Sequence, residues 1–347
     1  MKVDYLIVGC GLAGIAFCEQ LKSHGKSFVV YDNDSQVSST VAGGLYNPVI
    51  LKRFTPVWQS EVQMDRSIPM YLEIEQRLGI MLDQKIPVYR LFKSVEEQNN
   101  WFTASDKPNL NRWLSAKLIK NTNEYIDAEF GFGEVLETGR IDTALLIDKY
   151  RQFLRENNLL ISESFDYSKV NQSNDTISYN SVTTKNIVFA EGFGVKQNPF
   201  FKELPLNGTK GELLIIHAPD LQIDFVLKSS VFLIPLGDHK YIAGSTYNWT
   251  DKTNNCTPEA KKELLKRLKT FINCEFEVMD QSAGIRPTVS DRRPLAGVHQ
   301  EHKNLFILNG LGTRGVMIAP FIADKLYKFI EMGTPLDPEI DIKRFLR

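Results

Sequence analysis

The feature that most restricts how this chain can fold lies at its start. Gly9-Cys10-Gly11-Leu12-Ala13-Gly14 reads G-x-G-x-x-G, directly after the apolar run 3–8 and at the head of a segment, 13–21, with helical spacing of apolar residues. The first glycine permits a tight turn, the second lets a pyrophosphate approach the backbone, and the third lets the helix pack close to the strand. Free N–H groups at such a helix N-terminus, helped by the helix dipole, attract phosphate. A second apolar run, 27–31, follows a glycine stop at Gly25 and ends at Asp32, where an acid hydrogen-bonds a ribose hydroxyl and repels a 2′-phosphate. Strand, glycine turn, helix, strand and acid together predict a dinucleotide site that disfavours NADP, with NAD and FAD both open.

Composition narrows the setting. The 347 residues hold 41 Lys and Arg against 42 Asp and Glu, a net charge of −1, so the chain lacks the basic excess of a protein built for bulk nucleic acid or an anionic membrane. No apolar stretch is long enough to span a bilayer, and no signal peptide is expected at the N-terminus. Cys10, Cys18, Cys256 and Cys274 show no C-x-x-C spacing, which predicts reduced thiols in a cytoplasmic protein rather than disulfides or zinc. The five histidines show no metal spacing, and no metal is expected.

Further along, helices are expected over 64–79, 143–157 (with Asp142 as N-cap), 258–271 and 319–331. Strands are expected over 186–192, 213–217, 231–235, 241–244 and 304–309, while 96–102 reads as polar and exposed. The expected fold class is α/β: a doubly wound, Rossmann-like nucleotide domain plus an α+β domain with a mixed or antiparallel sheet. The two interleave, with 1–80, 140–205 and 284–347 in the first and 81–139 and 206–283 in the second.

Several later segments resemble the D-amino-acid oxidase/glycine oxidase family of FAD enzymes. Val41-Ala42-Gly43-Gly44-Leu45-Tyr46-Asn47-Pro48 is similar to the small-residue segment that runs along the flavin there. Phe232-Leu233-Ile234-Pro235 and Ile242-Ala243-Gly244-Ser245-Thr246-Tyr247 look like its paired strands over the substrate. Ala283-Gly284-Ile285-Arg286-Pro287, Asp291 and Pro294-Leu295-Ala296-Gly297 resemble its A-G-x-R-P…D…P-x-x-G signature, and 304–306 with 310–317 its C-terminal flavin segment. Within the family the nearest likeness is to the FAD domain of the bifunctional wobble-uridine-modifying tRNA enzymes. Leu311 stands where many members have histidine. No cysteine lies in 283–290, so the FAD is expected to be non-covalent.

The resemblance implies an FAD-dependent oxidoreductase that oxidises the C–N bond of a small amino acid or N-substituted glycine by hydride transfer to flavin N5. Removal of a carboxymethyl group from a tRNA wobble uridine, or a flavin-binding subunit of a larger dehydrogenase, are the alternatives. It places Arg286, a planar fork suited to a carboxylate, with Tyr247 and Tyr46 at the substrate. To the cofactor it assigns Gly9, Gly11, Leu12, Ala13, Gly14, Asp32, Asn33, Gly43, Gly44, Leu45, Ala190, Gly192, Arg286, Gly312, Thr313, Arg314, Gly315, Val316 and Met317. Lys210 reads as a solvated lysine near the flavin segment. The basic stretch Lys261, Lys262, Lys266, Arg267 and Lys269 reads as a solvated helix face, with RNA phosphates as the rarer use.

Overall fold

The computed structural model describes residues 1–173 and 176–346. The apolar runs of the sequence form the parallel heart of one sheet. Leu160–Ile161, Phe28–Tyr31, Lys2–Val8, Val182–Phe189 and Leu305–Asn309 lie side by side in that order, each pair parallel. Their side chains are covered on both faces, which is why they read as continuous rather than alternating apolar runs. Thr176–Tyr179 and Leu295–Val298 extend this sheet antiparallel. Helix Leu12–Ser23 packs on helix Gly315–Met332, which packs in turn on helix Ser60–Leu78. Helix Thr143–Glu156 starts where expected, with the Asp142 carboxylate accepting from the Leu145 N–H.

A second sheet runs in the order Glu277–Arg286, Thr209–His217, Lys240–Gly244, Phe232–Gly237, Val226–Lys228, Val88–Leu91, Phe132–Val135, Leu114–Ile119. Its neighbours are antiparallel except for Val226–Lys228 beside Val88–Leu91, so the sheet is mixed. Helix Pro258–Leu268 buries Leu264 and Leu268, with Phe271 just beyond it, in the core under this sheet. A small sheet of Leu45–Tyr46, Gly139–Ile141 and Asp83–Gln84 carries the chain between the two large ones. The α/β class expected from the sequence, a parallel nucleotide-type sheet plus a mixed, mostly antiparallel one, is the class the chain adopts.

One stretch departs from expectation. Residues 96–102 are not merely an exposed polar segment but part of helix Val95–Ser105, capped by Ser94 accepting from the Glu97 N–H. Its polar residues face outward while Trp101 is fully buried between Phe54 and Phe92. Trp101, with Phe102 and Ala104 beside it, holds the helix by its last turns alone, too sparse a signal for apolar periodicity to register.

Candidate active site

A cavity of about 970 Å³ lies between the two large sheets, and the glycine segments far apart in sequence meet on its wall. At one end is the turn 9–14. Gly9 has φ +103°, and a Cβ there would meet the Ala190 carbonyl oxygen at 2.5 Å. A Cβ on Gly14 would sit 2.0 Å from the Gly9 carbonyl oxygen, so this glycine serves helix packing and does not line the cavity. No side chain caps helix Leu12–Ser23; Leu12 N–H has only a long contact of 3.4 Å to Ser39 Oγ. Its first-turn amides are therefore donors aimed at the cavity.

Helix Gly315–Met332 repeats the device. Its N-cap, Arg314, makes no side-chain cap, and Leu311, Gly312, Thr313, Gly315 and Val316 line the same cavity. Two uncapped helix N-termini thus converge on one space. Met317 does not reach it: fully buried, it packs in the core beneath, because it falls on the inward face of that helix.

Asp32 caps the second strand as expected, yet it is not free. Its carboxylate accepts from the Cys10 and Asp34 N–H groups and from Arg151 Nη2 at 2.9 Å. A carboxylate offers about four acceptor positions, so roughly one remains for a ribose hydroxyl. Arg151, on helix Thr143–Glu156, was not singled out in the sequence; it lies about 120 positions away, with no local signal to link it. Asn33, beside Asp32, also lines the cavity, its amide donating to Ser164 Oγ.

The 41–45 segment is locked in place along the cavity. Thr143 Oγ1 donates to the Ala42 carbonyl, Arg140 Nε to the Gly43 carbonyl and the Ile141 N–H to the Gly44 carbonyl. A Cβ on Gly44, at φ +70°, would lie 1.9 Å from the Ile141 oxygen. Ala190 and Gly192 complete this wall with Glu191, whose burial lifts its carboxyl to about 7 although Asn198 and Tyr167 donate to it.

Above lies the mixed sheet. Arg286 ends its edge strand and crosses Gly211 on the neighbouring strand, Nη1 donating to the Thr246 carbonyl at 3.3 Å. Among the described residues no carboxylate pairs with it; Asp291, the acid of the same signature, binds Arg344. The Tyr247 ring stands 4.6 Å from the guanidinium carbon, its side chain 59% exposed at the cavity mouth. Burial pushes both Arg286 and Arg314 below the usual arginine range.

Two sequence expectations are corrected here. Tyr46 does not line the cavity: it is fully buried in the small sheet, donating to Asp83 Oδ1 at 2.7 Å and accepting from Lys85. Strand alternation turns it away from the face that Leu45 shows to the cavity. Lys210 is not solvated either; it is fully buried, with Nζ 2.6 Å from Asp251 and 3.5 Å from Glu212, because paired acids replace its hydration. Lys228 and Arg90, also on the wall, went unnoticed in the sequence. Lys228 stands four residues before Phe232, in a strand too short to show a period.

These parts are those of a flavin-dependent oxidoreductase. The sequence pattern of the FAD dependent oxidoreductase (DAO) family matches residues 4–328, and the chain belongs to that family, whose cofactor is FAD. It is 27% identical over 141 residues to the tRNA 5-methylaminomethyl-2-thiouridine biosynthesis bifunctional protein MnmC of Marinobacter nauticus, covering 37% of this chain and 22% of that protein. It is 22% identical to the bifunctional protein ThiO/ThiG of a Synechocystis species, over 99% of this chain and 54% of that one. The chain thus spans about half or less of the length of these curated relatives. In three dimensions it is similar to glycine oxidase from Geobacillus kaustophilus, with a TM-score of 0.78 at 18% identity, covering 97% of each chain.

Proposed function

We propose that the chain oxidises the C–N bond of a small amino acid or N-substituted glycine, with FAD held non-covalently in the cavity. The observation that carries this is Arg286: a partly buried guanidinium without a carboxylate of its own among the described residues, facing the cavity that the glycine segments line. A planar fork left open in a desolvated place matches a substrate carboxylate through two charge-assisted hydrogen bonds. The residues present also fit the cofactor. Gly9, Gly11, Leu12 and Ala13 would hold its pyrophosphate, Asp32 its ribose, and the 43–45 and 312–316 segments its ring system. FAD, when bound, supplies the acceptor for the two electrons that leave the substrate as a hydride.

The protein supplies position. Arg286 fixes the carboxylate and so orients the neighbouring C–H bond, while the two sheets exclude water from the reacting carbon. No strong side-chain base is needed if the amine enters neutral. Open amides at the head of Gly315–Met332, with Arg314, line the cavity and would stabilise the negative charge that FAD gains on reduction. The division into a cofactor part, 1–80, 140–205 and 284–347, and a substrate part, 81–139 and 206–283, belongs to the same proposal; sheet membership supports it. A cytoplasmic setting is part of the same proposal; no described helix is long and apolar enough to cross a membrane.

A second reading makes tRNA the carrier of the amine. It is favoured by the MnmC match and by the exposed Lys261, Lys262 and Lys266 on helix Pro258–Leu268, with Lys269 at its end. The test is anaerobic mixing of FAD-loaded protein with glycine, sarcosine, D-amino acids and carboxymethylaminomethyl nucleosides. Bleaching of the flavin band by one of them is expected; no bleaching by any would remove this substrate class.

A further inference from the structure

The cavity carries more positive charge than one carboxylate requires. Its wall holds Arg286, Arg314 and Lys228, and among the described residues none of the three has an acidic partner. The other partly buried cations there are matched, Arg90 by Glu97 at 2.7 Å and Arg267 by Glu263 at 3.2 Å. Arg286 is accounted for by the substrate carboxylate and Arg314 by the helix head assigned to the flavin. Lys228 is left over.

Its position is that of a substrate contact. Lys228 ends strand Val226–Lys228, opposite Phe232 in one neighbouring strand and level with Arg90 in the other. The ammonium sits 4.3 Å from the centre of the Phe232 ring. That ring borders Gly43 from above: a Cβ on Gly43 would come 3.7 Å from it. Lys228 therefore belongs to the same sheet as Arg286 and faces the segment assigned to the flavin ring, away from the pyrophosphate turn at 9–14. Burial, with Arg314 and Arg90 nearby, pulls its pKa down to about 7. An ammonium desolvated among cations is costly unless an anion joins it.

We propose that Lys228 is a second anion-binding point and that the substrate is an amine bearing two acidic groups, one held by Arg286 and the other by Lys228. The inference rests on the amine-oxidising reading and narrows its substrate class to dicarboxylic amines, such as N-carboxymethyl amino acids or acidic amino acids. A second carboxylate supplies the partner that Lys228 lacks; the two cations reach towards each other over the three strands that separate theirs, Arg286 across Gly211 and Lys228 over the Phe232 ring. It also raises discrimination, since a monocarboxylic amine leaves the partly buried lysine unpaired.

The test uses FAD-loaded protein and two ligands without an oxidisable nitrogen: oxydiacetate, a dianion, and methoxyacetate, its monoanionic counterpart. Binding is followed by perturbation of the flavin spectrum and by calorimetry. Oxydiacetate is expected to bind at least about tenfold tighter, a preference that collapses towards unity in Lys228→Met and survives in Lys228→Arg. Equal affinities in the parent protein, or a preference retained by Lys228→Met, overturn the proposal. So does Lys228-dependent binding of tRNA with no preference for the small dianion, which would give the lysine to an RNA phosphate. Anaerobic bleaching is run alongside. Bleaching by monocarboxylic amines without the dianion preference defeats this inference alone, whereas no bleaching by any amine defeats the reading beneath it.

Discussion

The guanidinium of Arg286 occupies the volume that a side chain on Gly211 would fill: a Cβ at Gly211 would lie 1.8 Å from Nη2 and 2.2 Å from Cζ. The two residues sit on paired strands, Gly211 opposite Gly284, two positions before Arg286. The missing side chain is thus what lets the arginine lie flat across the sheet and turn towards the cavity. Gly211→Ala should swing it away. Apparent affinity for carboxylate ligands should fall by about tenfold or more, while FAD content stays that of the parent. Ligand titration and the ratio of flavin to protein absorbance check both parts.

Asp32 and Arg151 form the pair at the other end of the cavity, 2.9 Å apart. Asp32→Ala removes the acceptor proposed for the ribose and leaves Arg151 with Asp34 alone. FAD binding should weaken by roughly ten- to a hundredfold, the worth of one or two hydrogen bonds to a charged group. Arg151→Met should cost less, since it loosens the acid without removing it. Recovery of free-flavin fluorescence on dilution reports both.

Lys228 gives a pH signature. Its pKa falls from 10.5 to about 7 on folding, so across that window the unfolded chain binds more protons and stability rises with pH. The charged groups near it are Arg314 and the Glu97-paired Arg90. Lys228→Met should therefore melt a few degrees above the parent near about pH 6.5, and the gap should close towards about pH 10. Thermal melts of both FAD-loaded proteins, in buffers free of dicarboxylates, measure it; a gap that widens with pH contradicts the assignment.

Lys210 holds two acids from inside the fold. Glu212 also accepts from Thr257 N–H and Oγ1 and from Gln281 Nε2, so the lysine is the only cation in a buried polar knot among the described residues. Lys210→Met leaves Glu212 without that counter-charge and should destabilise by about 3 kcal/mol, the usual cost of halving a buried pair. Urea unfolding checks it, and flavin spectra of the folded fraction should be those of the parent.

Most of the parallel sheet and the first helix N-terminus were legible because each announces itself locally, as a continuous apolar run next to a glycine turn; the C-terminal helix begins at Gly315, four residues before the expected 319, because its first turn is written in small residues of the glycine segment, and the two-residue strand Leu160–Ile161 is too short to read. The same holds for Arg286, fixed in its sequence segment by the A-G-x-R-P pattern. What the sequence hid are relationships across the fold. Tyr46 and Leu45 are neighbours with opposite fates, decided by which face of a two-residue strand meets the cavity. Lys210 and Lys228 are both lysines of the mixed sheet, one fully buried and satisfied by acids 2 and 41 positions downstream, the other partly buried on the wall of the cavity that Arg314 also lines. Short strands and long-range charge pairs leave no period to read.

The most direct measurement is anaerobic flavin reduction by the best amine substrate, compared between the parent and Arg286→Ala at equal FAD content. If the guanidinium grips the substrate carboxylate above the flavin, the concentration needed for half-maximal reduction rate should rise by about a hundredfold in the variant. Equal rates at equal substrate would mean that the acid group binds elsewhere and that the glycine-lined cavity serves a different chemistry.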